Sequence, residues 1–257
     1  MSKIGSRSCA IGVMAKAPQP GRSKTRLCPP LNPDQAAMLS AAFLRDTTDN
    51  LLAAARLAGP ELSIIPYAAF APAGSEALVA SAVAPGIRLT LADGASPMPA
   101  GVEGFGRCLL HAVQAMLADG HESACVLSSD SPTVPTELLL MAARHLAQPG
   151  DRAVLGACDD GGYYLLGLKA AYAAPFSDIA WSTETVAATT RTRIAGIGLE
   201  LVELPSWYDV DDAASLRTLL DAQHGYPAPH TQSTIDRLGL RALLQESGPL
   251  TAVRNSA

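Results

Sequence analysis

Four cations crowd one short stretch of the chain: Lys16, Arg22, Lys24 and Arg26, within Lys16-Ala17-Pro18-Gln19-Pro20-Gly21-Arg22-Ser23-Lys24-Thr25-Arg26-Leu27. Backbone amides and cations in such a Pro/Gly loop suit a diphosphate, because they offer fixed donors and positive charge together. A solvated basic loop is the plainer reading of the charge alone. The loop is not a Walker A sequence, since no Gly-Lys-[Ser/Thr] occurs and the glycine spacing is wrong.

Three acidic motifs lie downstream. Ser128-Ser129-Asp130-Ser131-Pro132 follows an apolar run. Its carboxylate suits Mg²⁺ or Mn²⁺, which take oxygen ligands shared with phosphate. The competing role is an Asp-Ser-Pro turn that caps the next helix. Asp159-Asp160-Gly161-Gly162-Tyr163-Tyr164 joins two apolar runs. A hairpin turn explains Asp-Gly-Gly. The functional alternative has a ligand approach the glycines while Asp159 or Asp160 accepts a hydroxyl proton. In Trp207-Tyr208-Asp209-Val210-Asp211-Asp212, Asp209 and Asp211 share one face of an extended segment. With Asp130 they would form an oxygen-ligand metal site; alternatively Asp211 or Asp212 caps the following helix. A weaker candidate is the stretch Gly101 to Arg107, which opens a helix, so its amides and Arg107 are candidates for phosphate contact. The five histidines form no metal-binding spacing, and no Gly-x-Ser-x-Gly elbow is present.

Alternating strands and helices must position these groups. Cys9–Met14 reads as a buried strand that enters the basic loop. Asn32-Pro33 marks a helix start, with the helix running to about Ala58. Strands are expected at Leu62–Ala68, Ile87–Ala92, Ala124–Leu127, Ala153–Ala157, Tyr163–Leu168 and Leu199–Leu204. Helices are expected at Gly74–Val83, Phe105–Asp119, around Leu139–Leu146, from Ser182 or Thr183 to about Ala195, and from Ala213 to Gln223. This order predicts an α/β fold: a mostly parallel mixed sheet flanked by helices, with ligands beyond the carboxyl ends of the strands. The expected division is a domain over 1–222 and a tail over 223–257 with one short helix, about Ser233–Glu246.

Charge and composition narrow the function. The chain has 257 residues, 19 Lys+Arg and 24 Asp+Glu. Residues 1–33 hold six bases and no acid. An acidic body with one basic segment excludes a nucleic-acid-coating face and favours a small anionic ligand. Five widely spaced cysteines with no Cys-x-x-Cys suit buried thiols in a reducing compartment, so a cytoplasmic protein is expected. No apolar run approaches the ~18 residues of a transmembrane helix, and the N-terminus does not read as a signal peptide.

Taken in order, Lys16-x-Pro18-x-x-Gly21-x-x-Lys24-Thr25-Arg26-Leu27, Ser129-Asp130-Ser131-Pro132, Asp160-Gly161-Gly162-Tyr163-Tyr164-Leu165-x-Gly167, Trp181-Ser182-Thr183 and Asp209-Val210-Asp211 give a sharper reading. The chain resembles, over about residues 8–222, a bacterial glycosyltransferase-like family of the nucleotide-diphospho-sugar transferase (GT-A) superfamily. Members are often called radical-SAM/selenodomain-associated transferase or a domain of unknown function. The basic loop is also similar to those of phospholactate and molybdenum-cofactor guanylyltransferases.

The resemblance implies a single Rossmann-like GT-A domain. It implies a nucleotide on Lys16, Pro18, Gly21, Lys24, Arg26 and Arg107, and Mg²⁺ or Mn²⁺ at Asp130, Asp209 and Asp211. Gly161, Gly162, Tyr163, Trp181, Ser182 and Thr183 would line the sugar or acceptor pocket, with Asp160 and Asp159 as catalytic carboxylates. Two departures stand out: Gly104-Phe105-Gly106-Arg107 lacks the family's usual acidic residue and leucine, and Ser131 stands where Cys is common. The expected activity is metal-dependent transfer of a sugar from a nucleotide-activated donor to a small-molecule acceptor. The alternatives are a nucleotidyltransferase that uses a nucleoside triphosphate and releases pyrophosphate, and a non-catalytic nucleotide-binding protein.

Overall fold

The computed structural model describes residues 7–221 and 224–246. Gln223, the end expected for one helix, and Lys3 lie outside them. One seven-stranded sheet carries the fold, built from β1 (Arg7–Lys16), β2 (Leu62–Ala71), β3 (Arg88–Leu91), β4 (Ser123–Leu127), β5 (Arg152–Cys158), β6 (Tyr163–Leu168) and β7 (Glu200–Trp207). The strand order is β3-β2-β1-β4-β6-β5-β7. All neighbouring pairs are parallel except those of β6, which runs antiparallel to both β4 and β5. The sheet is thus mixed and mostly parallel, as the alternation of elements predicts.

Helices cover both faces, as the apolar runs of the central strands demand. On one face α1 (Pro33–Leu57), α2 (Glu76–Ala82) and α4 (Thr136–Ala147) bury Leu44, Leu51, Val79 and Leu139 against Ile11, Val13 and Phe70. On the other face α3 (Phe105–Ala118) and α5 (Val186–Gly196) bury Leu110, Val113, Met116 and Ile194 against Val126 and Leu155. The helix start at Asn32 is a full capping box. Its side chain accepts from Gln35 N at 2.9 Å, and its own N–H donates to Gln35 Oε1 at 2.9 Å.

A third cluster joins Leu27, Leu39 and Phe43 to Leu216, Ile235 and Leu240 of α6 (Ala213–Asp221), α7 (Pro229–Arg237) and α8 (Leu240–Glu246). The single helix expected near Ser233–Glu246 is therefore two, separated at Gly239, whose φ is +62°. A buried carboxylate fixes this packing: Asp46 of α1 accepts from His230 N at 3.0 Å and Thr231 N at 2.6 Å, the first amides of α7. Another boundary also moves. α5 begins at Val186, after Thr185, so neither Ser182 nor Thr183 is its cap. Thr183 instead closes a local turn through its hydroxyl. Among the described residues no helix is long and apolar enough to cross a membrane.

Candidate active site

Strand order decides where the motifs meet. β1 is followed by α1 on one face, while β4 is preceded by α3 on the other. The crevice between the carboxyl ends of β1 and β4 is therefore a switch point of the sheet, where such folds take ligands. β1 ends at Lys16 and leads into the basic loop. β4 ends at Leu127 and leads into Ser128-Ser129-Asp130. Because β6 is antiparallel, its first residue, Tyr163, lies at this same edge, together with the turn from β5. β7 is parallel to β5 and delivers Trp207 and the segment 208–212 there too. The backbone ties these loops together: Ser128 N donates to Tyr164 O at 2.7 Å, Val210 N to Asp130 O at 2.8 Å, and Asp159 N to Trp207 O at 3.2 Å.

A cavity of about 660 Å³ opens at this edge, within the usual range for a ligand pocket. All four loop cations line it: Lys16, Arg22, Lys24 and Arg26. Asp130, Asp211 and Tyr163 line it as well, and Met14, Ala69, Ala92, Phe105, Leu109 and Val126 give it an apolar wall.

Lys24 is the centre of the polar side. Its Nζ lies 2.6 Å from Asp130 Oδ1, 2.8 Å from Asp211 Oδ1 and 2.7 Å from the carbonyl of Val210. Its side chain is only 6% exposed. Burial alone would pull the ammonium's pKa down, but Asp130 and Asp211 together outweigh it and hold the pKa above the ordinary value. Arg26 Nη1 stands 3.9 Å from Asp211 Oδ2. These contacts settle two open roles. Asp130 faces Lys24 and does not cap α4, whose first flanking residue is Pro135. Asp212, not Asp211, caps the next helix, by accepting from Ser215 N at 2.8 Å.

Asp209 occupies a different place from its neighbour Asp211. One ligand atom each from Asp209, Asp160 and Cys158 lies within 4.8 Å of the others. Burial, then the charges of Asp160, Asp211 and Asp130, push the Asp209 carboxyl up to about 6. The Cys158 thiol is pushed far up, first by burial and then by Asp209, Asp160 and Asp159. Asp160 Oδ1 also accepts from Gly162 N at 2.8 Å. The hydroxyl of Tyr163 is buried without a hydrogen-bond partner among the described residues.

Several expected site residues do not line the cavity. Arg107 is turned away: its Nε donates to Gly94 O and its Nη2 to Ser96 O, each at 2.9 Å. These bonds brace the 94–96 loop. Pro18 and Gly21 shape the basic loop without lining the cavity. Gly161 serves the protein's own backbone. A Cβ there would stand 2.0 Å from Glu184 O, and its φ is +91°. The 182–185 loop, not a ligand, occupies the space its missing side chain leaves. Trp181 packs edge-on against Phe105 and Tyr163 and donates from Nε1 to Glu103 O at 3.1 Å. Ser182, Thr183 and Asp159 are exposed beyond this wall. Sequence reasoning missed Arg22, Ser40, Phe105 and Cys158 as site residues. Arg22 was visible as one of the four loop cations. Phe105 lay within the candidate stretch Gly101 to Arg107, while Ser40 and Cys158 gave no signal, since their placement depends on contacts distant in sequence.

Residues 64–183 match the model of a family described as an uncharacterized protein conserved in bacteria (DUF2064). A search of curated proteins gives no significant match. Among solved structures, the chain is similar to a candidate nucleotide-diphospho-sugar transferase from Desulfovibrio desulfuricans G20, with 26% identity and a TM-score of 0.73 over 94% of this chain and 98% of that one. It is also similar to CMP:2-keto-3-deoxy-manno-octonic acid synthetase, solved with CTP. There the identity is 11% and the TM-score 0.51, over 82% of this chain and 96% of that one, a likeness of fold alone. The chain thus matches this bacterial family across residues 64–183, and its α/β architecture is that of nucleotide-diphospho-sugar transferases.

Proposed function

We propose that the protein is a transferase that uses a nucleotide-activated substrate, and specifically a metal-dependent glycosyltransferase. It would move a sugar from a nucleotide-diphospho-sugar to a small-molecule acceptor, in the cytoplasm. The observation that carries this reading is the pairing of four loop cations with Asp130 and Asp211 around one cavity at the sheet's switch point.

Each group has a role in this reading. Lys16, Arg22 and Arg26 neutralise and orient the diphosphate. The apolar wall from Met14 to Val126 takes the less polar part of the donor. Tyr163 offers a buried donor that no group among the described residues uses. Asp160, beside Asp209, receives the acceptor's hydroxyl proton, and Asp159 supports the same turn. The donor set fits a hard divalent cation, since the carboxylates of Asp130 and Asp211 and the carbonyl of Val210 already converge on one ammonium at 2.6–2.8 Å. Asp209 stands close enough to sense both carboxylates. Such a cation, when bound, supplies charge neutralisation for the departing nucleoside diphosphate.

A panel of nucleotides and nucleotide sugars with Mg²⁺ or Mn²⁺, read first by thermal shift and then by product analysis, tests this reading. Release of a nucleoside diphosphate is expected. Asp130→Ala should lower turnover by roughly 10²–10³ while the protein stays folded. Full activity of that variant in EDTA would exclude the metal-dependent reading. A second reading, nucleotidyl transfer, draws on the three loop cations that remain when Lys24 is engaged, because they suit a triphosphate equally well. Pyrophosphate as the released product would establish it.

A further inference from the structure

Lys24 makes contacts of the kind that a bound metal makes. Its three donors are all used, on Asp130 Oδ1, Asp211 Oδ1 and Val210 O, at 2.6, 2.8 and 2.7 Å. The ring of Phe43 lies 5.5 Å from the same nitrogen and closes a further side. The residue itself is left-handed, with φ 49°, a conformation that a lysine adopts only where its surroundings hold it. The engaged ammonium has no donor left for a phosphate. Lys16 and Arg22, by contrast, line the same cavity with no side-chain ion pair or hydrogen bond among the described residues.

We propose that Lys24 is a resident cation that keeps the seat between Asp130 and Asp211, and that a divalent cation and a nucleotide therefore bind cooperatively. The inference rests on the nucleotide-and-metal reading above and adds its regulation. Two cations cannot both occupy a seat bounded by oxygens 2.6–2.8 Å from one of them. A divalent ion that takes Asp130 and Asp211 must displace the ammonium, and a displaced ammonium in a largely buried pocket needs a new anion. The phosphates of an incoming nucleotide supply it, since Lys24 lines the cavity that would receive them. Each ligand thus removes the obstacle to the other, and by linkage the coupling is the same in both directions. A metal without nucleotide meets a filled seat. A nucleotide without metal meets a lysine already committed to two carboxylates.

The test is a Mn²⁺ titration of the nucleotide-free protein, read by loss of the free-ion EPR signal. Wild type, Lys24→Met and Lys24→Met/Asp130→Asn are compared, with circular dichroism to establish folding. Lys24→Met should bind Mn²⁺ about tenfold or more tightly than wild type, and adding Asp130→Asn should abolish the gain. Equal Mn²⁺ affinity in wild type and Lys24→Met overturns the proposal.

If Lys24→Met does not fold, wild type alone decides. In wild type, the thermal shift with Mn²⁺ plus ADP, GDP, CDP or UDP should exceed the sum of the shifts with each ligand alone for the preferred nucleotide. Additive shifts overturn the proposal. If no protein binds Mn²⁺ but a nucleotide still shifts the melting point, both this inference and the metal dependence fail, while nucleotide binding stands. If no nucleotide shifts it either, the functional reading itself fails.

Discussion

Replacing Asp209 by Asn should stabilise the ligand-free protein at neutral pH, although Asp209 sits in the candidate site. The carboxyl is pushed from the ordinary 3.8 up to about 6 by burial and by the charges of Asp160, Asp211 and Asp130. Its folded-state pKa therefore lies above the unfolded one. Between these two values the native state holds a proton that the unfolded chain has lost. Stability accordingly falls as pH rises through about 4 to 6 and stays lower above that window.

At 1.36 kcal/mol per pH unit the full displacement corresponds to ~3 kcal/mol. Asp209 is partly exposed, and solvent screening cuts the usable figure to about 1 kcal/mol. Asn removes the charge and keeps the shape. Asp209→Asn should therefore melt about 2–4 °C above wild type at pH 8, with the gain vanishing near pH 4. Melting curves across that range, in EDTA so that no divalent ion bridges the carboxylates, measure it. No gain at pH 8, or an equal gain at pH 4, would show that the buried charge of Asp209 does not destabilise the fold. The same variant should lose transferase activity, so that stability and function move in opposite directions.

Two further substitutions test the placement of individual groups. Gly161→Ala forces a Cβ into Glu184 O at a left-handed position, and should cost about 2–3 kcal/mol, seen as a melting point lowered by roughly 5–10 °C. Arg107→Met removes two hydrogen bonds to the 94–96 loop and should cost about 1 kcal/mol while leaving nucleotide affinity within about twofold; a loss approaching tenfold, of the kind worth 1.4 kcal/mol, would mean that Arg107 reaches the phosphate after all.

The sequence was most legible where chemistry and local structure coincide. The basic loop follows β1 without a break, so strand direction alone carries its four cations to the cavity. Asn32 and Gln35 announce α1 because a capping box is a local event. What stayed hidden depends on contacts between distant residues. Lys24 and Asp211 are 187 positions apart, and no spacing rule foretells that one ammonium would hold two acidic motifs together. Arg107 had the right charge at the right helix end, but its orientation is set by carbonyls at Gly94 and Ser96. Asp209 and Asp211 share a face by alternation, yet one joins Cys158 and Asp160 and the other joins Lys24. The tail pattern suggested a continuous helix because its apolar spacing runs past Gly239, where the backbone turns.

The single antiparallel strand divides the pocket into two mechanically different halves. On one side, β5 and β6 are joined by only four residues; β6 is paired with β4, and the turn is bonded to β7 through Asp159 N and to the start of α5 through Gly161 O. That half is a wall held by continuous hydrogen bonding. On the other side, residues 17–32 run from the end of β1 to α1 with one short helical turn at Thr25–Leu27; Leu27 and Leu31 anchor them in the third cluster, and the ammonium of Lys24 ties them to Asp130 and to Val210 and Asp211. On the proposed function, exchanging the two segments between related chains should transfer different properties: donor preference with the loop, acceptor choice with the turn.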